Sequence, residues 1–412
     1  MIRKLATALR QAAIAVLIVG ASCAQARADA AFQSFLQSLW PDAQQLGVSR
    51  ATFDAATRGL EPDLSLPDLE LSGRPERPPP QQAEFVQTPA SYVREQTIAR
   101  LAEQGKKLAQ AHRATLDAIE RQFGVQPSVV LAIWGRETAY GAHKLPHDAI
   151  RVLATQAYTG RRKDMFRGEF LGALKMLQDG IPRAKMRSSW GGAMGLTQFL
   201  PTEFYRHAVD FDGDGHVDIW NSIPDALASA AKQLHGKGWQ RGRRWAYEVR
   251  VPPGIDCTVA QPGHVLAIGE WFKRGYLPAY GRKLSAAELK EEASLLLPEG
   301  TYGPAFLTPK NYYVIKDYNF SDLYVLFVGH LSDRILNARP FEKPWSKNSQ
   351  LRTEQVEAMQ RTLTERGLYR DNIDGKAGML TRSALGAYQK ANGLKLDCWP
   401  TAQVLAHMQK LR

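Results

Sequence analysis

The chain has 412 residues, 44% hydrophobic and 23% charged, which fits two or three globular domains and excludes wholesale disorder, a collagen repeat or a coiled-coil rod. Its formal charge of +12 calls for an anionic partner, and charge alone leaves open nucleic acid, a membrane surface or an acidic wall polymer. Three cysteines are too few for a disulfide scaffold, and past residue 30 no apolar run approaches the ~18 residues of a membrane span.

Arg3, Lys4 and Arg10 precede an apolar run from Ala12 to Ala21, and Ala-x-Ala sites follow at Ala24/Ala26, Ala26/Ala28 and Ala28/Ala30. Residues 1–30 read as a secretory signal, not a transmembrane helix. Its removal leaves 49 basic against 40 acidic residues, a charge of +9. Export argues against nucleic acid as the partner. Gly20-Ala21-Ser22-Cys23 partly resembles a lipobox but lacks the usual Leu, so lipidation at Cys23, and with it a membrane partner, is the lesser alternative. Cys257 and Cys398 fall in different predicted domains, so no disulfide is expected between them.

Residues 31–60 read as helical, with Phe32, Phe35, Leu36 and Leu39 at helical spacing. The Pro-rich residues 61–91 read as an irregular wrapping segment. An amphipathic helical pattern runs from Ser91 to Phe123, and Pro127 suits the first turn of the next helix. Residues 160–240 alternate helices with Gly-rich turns. Trp245–Val251 and Tyr312–Asp317 alternate β-branched and aromatic residues, which predicts a small sheet. Pro340 and Pro344 mark a linker at 338–350, and a module follows at 351–412.

Two segments carry chemistry. In Trp134-Gly135-Arg136-Glu137-Thr138-Ala139-Tyr140-Gly141, helical spacing lets Ile133, Trp134 and Tyr140 share the face of Glu137. Apolar walls favour a protonated carboxyl that can give a proton to a glycosidic oxygen. The bland alternative is a surface Glu paired with Arg136. In Ser189-Trp190-Gly191-Gly192-Ala193-Met194-Gly195-Leu196-Thr197-Gln198, glycines can admit a ligand to the backbone while Gln198 and Trp190 offer an amide and an aromatic face. The alternative there is a structural turn.

Glu137–Gly141 and Gly192–Pro201, with Arg161-Arg162, Phe166 and Glu169 between them, resemble the signature segments of the lytic murein transglycosylase B family, over residues 31 to about 335. The resemblance implies a mainly α (α+β) fold, a lysozyme-like core with a small β element. It also implies cleavage of the β-1,4 bond between N-acetylmuramic acid and N-acetylglucosamine, with Glu137 as the single acid and base and a 1,6-anhydro product. Such an enzyme belongs in the periplasm. By the same resemblance Gln198, Ser189 and Trp190 line the sugar cleft, and Arg161 and Arg162 meet the peptide stem or muramyl lactate. Asn319 and Tyr324, in Tyr318-Asn319-Phe320-Ser321-Asp322-Leu323-Tyr324, stand near the acid. A solvated basic face is the alternative for the Arg pair. Met165 and Gln233 depart from the family's aromatic residues. The partners implied are peptidoglycan glycan strands, with other cell-wall enzymes open. A water-using muramidase and a catalytically silent wall-binding scaffold are the competing readings.

Asp210-Phe211-Asp212-Gly213-Asp214-Gly215-His216-Val217-Asp218 places acids at alternate positions with Gly at the sixth, an EF-hand-like pattern for calcium. Asn221 stands where the closing Glu belongs. The resemblance supplies Asp225 as the later closing acid and the His216 carbonyl as a further ligand, the metal being structural. An acidic turn without metal is the alternative, and no organic cofactor is expected. Residues 351–412, with Gly367-Leu368-Tyr369, Asp374-Gly375, Tyr388-Gln389 and Gly393-Leu394, resemble the peptidoglycan-binding type 1 domain, a three-helix module. Tyr388 and Leu394 read as its core. Asp397-Cys398 departs from the usual Asp-Gly.

Overall fold

The computed structural model describes residues 30–70, 87–348 and 351–410. The secretory-signal reading, including Cys23, and most of the Pro-rich segment lie outside the described residues. No described helix is long and apolar enough to cross a membrane. The chain divides into two compact units.

The first unit joins the described residues up to 70 with Lys144–Arg206 and Ile219–Asn221. It opens with helices at 30–38, Trp40–Gln45 and Arg50–Thr57, and Phe32, Leu36, Leu39 and Phe53 bury the apolar stripe seen in the sequence. The Ser49 hydroxyl caps the third helix by accepting from the Thr52 N–H. Ala149–Thr159 and Lys163–Gln178 form an antiparallel pair, the first capped by Asp148.

The second unit takes in 87–143, His207–Asp218 and the rest of the chain from Ser222. Its helical layer contains Glu95–Ala111, Arg113–Phe123, Pro127–Thr138, Ile223–Gly236 and Asp322–Ile335. Pro127 does occupy the first turn of Pro127–Thr138, which is apolar nearly all round and buried accordingly. A five-stranded antiparallel sheet runs in the order Val265–Ala267, Glu292–Leu296, Ala305–Thr308, Tyr247–Arg250, Leu277–Pro278. Tyr247–Arg250 meets the expectation of a strand. The second expected strand, Tyr312–Asp317, is instead part of a helix, Lys310–Lys316. Tyr312, Val314 and Ile315 are all buried, and a short apolar run of that kind satisfies either period.

Three helices, Thr353–Glu365, Met379–Ala391 and Ala402–Lys410, close the chain around Met359, Leu363, Leu385, Tyr388 and Met408. Tyr388 is core, as expected. The cysteine expectation is overturned: Cys257 and Cys398 form a disulfide across a separation of 141 residues. Sequence boundaries hid that this module packs on the sheet, where Cys398 joins the cluster of Tyr247, Val249, Trp271 and Leu295. Cys398 has φ +53°, the left-handed conformation that suits the usual glycine. A Cβ on Gly386 would collide with its sulfur, so that glycine makes room for the bond. Residues 338–348 carry no helix or strand yet are pinned: Glu342 and Lys343 donate backbone N–H to Glu248 at 2.9 and 3.0 Å, and Ser346 to Glu299 at 2.7 Å.

Candidate active site

Glu137 stands in the last turn of Pro127–Thr138, half-buried. The helix stops abruptly because Ala139, Tyr140 and Gly141 all take positive φ, at 49°, 60° and 81°. Left-handed conformations at two non-glycine residues are costly and persist only when packing enforces them. Tyr140 supplies that packing. Its ring lies across Gly135, where a Cβ would come within 2.7 Å of it, and its hydroxyl donates to the Leu101 carbonyl at 3.0 Å. Tyr140 therefore folds back and pins the helix end, and does not extend the helical face of Glu137 as spacing suggested.

Tyr324 is a partner of Glu137, and its hydroxyl donates to Oε1 at 2.5 Å. Tyr324 is buried in the first turn of Asp322–Ile335, where the Ser321 side chain caps the helix. Tyr318 stacks on its ring, with centroids 6.3 Å apart. Burial, reinforced by the charge of Glu137, raises the Tyr324 phenol well above its ordinary range, so it serves as a neutral donor. Asn319, half-buried, lies in the turn before the cap, where its carbonyl accepts from the Ser321 N–H at 2.7 Å. Arg136 turns to Tyr92, donating from Nε at 3.0 Å, and its guanidinium stacks over the Tyr92 and Phe327 rings. Burial works against that cation, but Tyr92 and then Glu137 more than offset it and hold its pKa above the usual value. Tyr92 gave no signal in the sequence.

In the first unit, residues 188–199 form a tight double turn, bridged Ser188 to Met194 and Met194 to Phe199. Ser189 accepts from the Ala193 N–H at 3.3 Å through Oγ, and Trp190 is half-buried beside it in the chain. Gln198 takes φ +59° and donates from Nε2 to the Gly195 carbonyl at 3.0 Å. The glycine expectation is corrected at two positions. A Cβ on Gly192 would collide with Leu153, and one on Gly195 would come within 2.7 Å of the Ile219 carbonyl. Protein fills the space there, and Gly191 alone is open. Glu169 holds the end of this segment, accepting from the Thr202 N–H and hydroxyl at 2.9 and 2.6 Å, and burial raises its carboxyl. Arg161 and Arg162 share one carboxylate, Asp68, at 3.6 and 3.4 Å. Asp148 accepts from Arg183 at 2.7 Å and caps a helix, so it is committed to structure, while Asp164 and Met165 are exposed.

The acidic loop belongs to the second unit. One carboxylate oxygen each from Asp210, Asp212 and Asp214 lies within 4.8 Å of the others. Asp210 also accepts from the Gly213 and Gly215 N–H groups, and Asp214 from that of His216, so loop and carboxylates are mutually braced. Hard oxygens so clustered fit calcium. Asp225 is buried beneath them, accepting from the Phe211 and Asp218 N–H groups at 2.8 Å each, which makes it the loop's organiser.

A half-buried carboxyl, held by a neutral tyrosine at the end of a rigid helix, can give and retake a proton at a fixed point. That helical frame and that carboxyl define a class, and the chain belongs to the Transglycosylase SLT domain family, whose model matches residues 31–333. The model of the Putative peptidoglycan binding domain matches residues 352–408. Membrane-bound lytic murein transglycosylase B of Escherichia coli (strain K12) is 31% identical over 237 residues, 54% of this chain, and the match spans only 61% of that relative's length. SltB3 from Pseudomonas aeruginosa, solved with NAG-anhNAM-pentapeptide, is 37% identical over 92% of this chain and 99% of its own, with a TM-score of 0.82. The Escherichia coli lytic transglycosylase Slt35, solved with calcium, is 27% identical over 63% of this chain and 81% of its own, with a TM-score of 0.51.

Proposed function

We propose that the protein is an exported peptidoglycan lytic transglycosylase that breaks the β-1,4 bond between N-acetylmuramic acid and N-acetylglucosamine without water. Glu137 gives its proton to the leaving glycosidic oxygen as the bond from that oxygen to the muramic C1 breaks. The muramic 6-hydroxyl oxygen then bonds to C1, and its proton passes to Glu137, restoring the acid. The product carries a 1,6-anhydro end, and no water is consumed. A single carboxyl suffices because the substrate N-acetyl group can stabilise the electron-poor C1.

The observation that carries this reading is the Tyr324 hydrogen bond to Glu137, which fixes the carboxyl at the end of its helix. The commitment of Asp148 to Arg183 and a helix cap argues against a two-carboxylate muramidase built on that residue. The NAG-anhNAM-pentapeptide held by SltB3 supports an anhydro product. Ser189, Trp190, Gln198 and Asn319 would hold the sugars, and Arg161 and Arg162, with one carboxylate between them, keep charge for the muramyl lactate or peptide. Asp210, Asp212, Asp214 and the His216 carbonyl would hold calcium over Asp225 in a structural role, and calcium is the ion with which Slt35 was solved. The disulfide suits an oxidising compartment and so supports the periplasm.

The test is mass spectrometry of muropeptides released from sacculi by wild type and by Glu137→Gln. Anhydro ends from wild type alone are expected. Reducing ends, one water heavier, would make the protein a muramidase, and sacculus binding with no release by either would make it a scaffold.

A further inference from the structure

Arg136 precedes the acid in the chain, and an ordinary ion pair between the two is the plain expectation from sequence. The structure spends the guanidinium elsewhere. Its Nε donates to the Tyr92 hydroxyl at 3.0 Å, and Nη2 donates to the same oxygen. Its central carbon lies 4.8 Å from the centroid of the Tyr92 ring and 5.2 Å from that of Phe327. Those two rings are buried and meet edge to face, 6.0 Å apart. Arg136 makes no ion pair among the described residues. Phe327 stands three residues after Tyr324, so one helical face sends Tyr324 to the acid and Phe327 to the cation.

Two pulls therefore oppose each other at Glu137. Burial among apolar walls favours the protonated carboxyl, and an opposite charge within about 4–6 Å favours the ionised one by about 1–3 pH units. A guanidinium supplies that charge at any working pH. The interaction is mutual: burial opposes the charge on Arg136, while Tyr92 and then Glu137 sustain it. Were Arg136 to close on Glu137, charge-assisted hydrogen bonds would hold the carboxylate ionised, with no proton to give.

We propose that Arg136 is a positioning residue that sets how strongly Glu137 holds its proton, and that Tyr92 keeps the cation at a working distance from the acid. The assignment rests on the proposed function. When Glu137 protonates the leaving oxygen, the fixed charge of Arg136 stabilises the carboxylate that forms. Because Tyr92 holds the guanidinium, that carboxylate stays basic enough to take the proton of the muramic 6-hydroxyl. The other groups about the pair are phenols: Tyr324 of Asp322–Ile335, Tyr318 stacked on it, and Tyr92 of Pro89–Tyr92.

The test is the pH profile of kcat/KM for muropeptide release by the full chain. The limb that falls as pH rises reports loss of the proton from the acid. Arg136→Gln removes the opposite charge and should move that limb to higher pH by at least about one pH unit. Tyr92→Phe keeps the ring but frees the guanidinium to close on Glu137, and should move the limb to lower pH. A purely structural role lowers the rate at every pH and leaves the limb in place. That result, or displacement of both variants in the same direction, overturns the proposal. Should Arg136→Gln fail to fold, Tyr92→Phe decides alone, and a limb unmoved or raised overturns it. Carbon-13 NMR of the Glu137 carboxyl, identified by the signal lost in Glu137→Gln, reads the same displacements without substrate. Displaced titrations without release remove the enzymatic reading and keep the charge relation, whereas release with a fixed limb removes only this inference.

Discussion

Opening the Cys257–Cys398 bond should loosen the C-terminal module from the sheet. The bond closes a separation of 141 residues, so in the chain-entropy picture it removes about 17 cal/mol/K from the unfolded ensemble, about 5 kcal/mol at 25 °C. That is an upper figure, because unfolded chains retain some structure. Half of it, about 2.5 kcal/mol, would lower the melting temperature of a module of this size by roughly 10–20 °C. Both cysteines are buried, so reductant must be added to unfolded protein before refolding. Calorimetric melts would then compare oxidised protein, reduced and refolded protein, and the Cys257→Ser/Cys398→Ser double variant. Reduced protein and the double variant should agree with each other and lie well below oxidised protein. Coincident melts for all three would refute the reasoning. Two free thiols in oxidised, denatured mature protein would show that the bond does not form at all.

Tyr324→Phe removes the donor to Glu137 but keeps the ring. A hydrogen bond to a charged group is worth about 1.5–3 kcal/mol, so muropeptide release should slow roughly 10- to 150-fold with the melting temperature nearly unchanged, and an undiminished rate would contradict the site. Calcium at about a hundred times its Kd should stabilise the protein by about 2.7 kcal/mol, an effect weakened by Asp212→Asn, and melts indifferent to calcium and chelator would leave the loop a plain acidic turn. Burial raises the Glu299 carboxyl above its ordinary range despite the Ser346 N–H it accepts. A raised folded value means its contribution is fully present below the unfolded value of about 4.3 and is lost as pH rises through the folded one. Urea midpoints should therefore show Glu299→Gln gaining on wild type as pH increases, and a pH-independent gap would refute the sign.

The helix carrying Glu137 was legible because its cues are local: Pro127 at the start, then apolar residues all round. Its partner was not, because Tyr324 lies 187 residues away and entered only through family resemblance. The glycine-rich segment shows the same limit. Sequence marks Gly192 and Gly195 as places without side chains, but only packing reveals that Leu153 and Ile219 fill the space. The strand expected at Tyr312–Asp317 failed because buried alternation over a few residues suits a helix equally. The disulfide is not evident in the sequence because its two cysteines fall in different predicted domains, which the fold brings together. The departure at Cys398, where glycine is usual, was the available clue, since the residue keeps glycine's backbone and adds a sulfur.

Residues 338–348 bear on how a wall-binding module helps an enzyme. A slack leash raises local concentration and leaves the cutting position undetermined. This connector has little slack: its backbone is tied to Glu248 and Glu299, and Phe341 stacks on His330 with ring centroids 3.9 Å apart. The disulfide adds a covalent tie between the module and the sheet. Lengthening 338–348 would then slacken only the connector, because the disulfide still ties the module to the sheet.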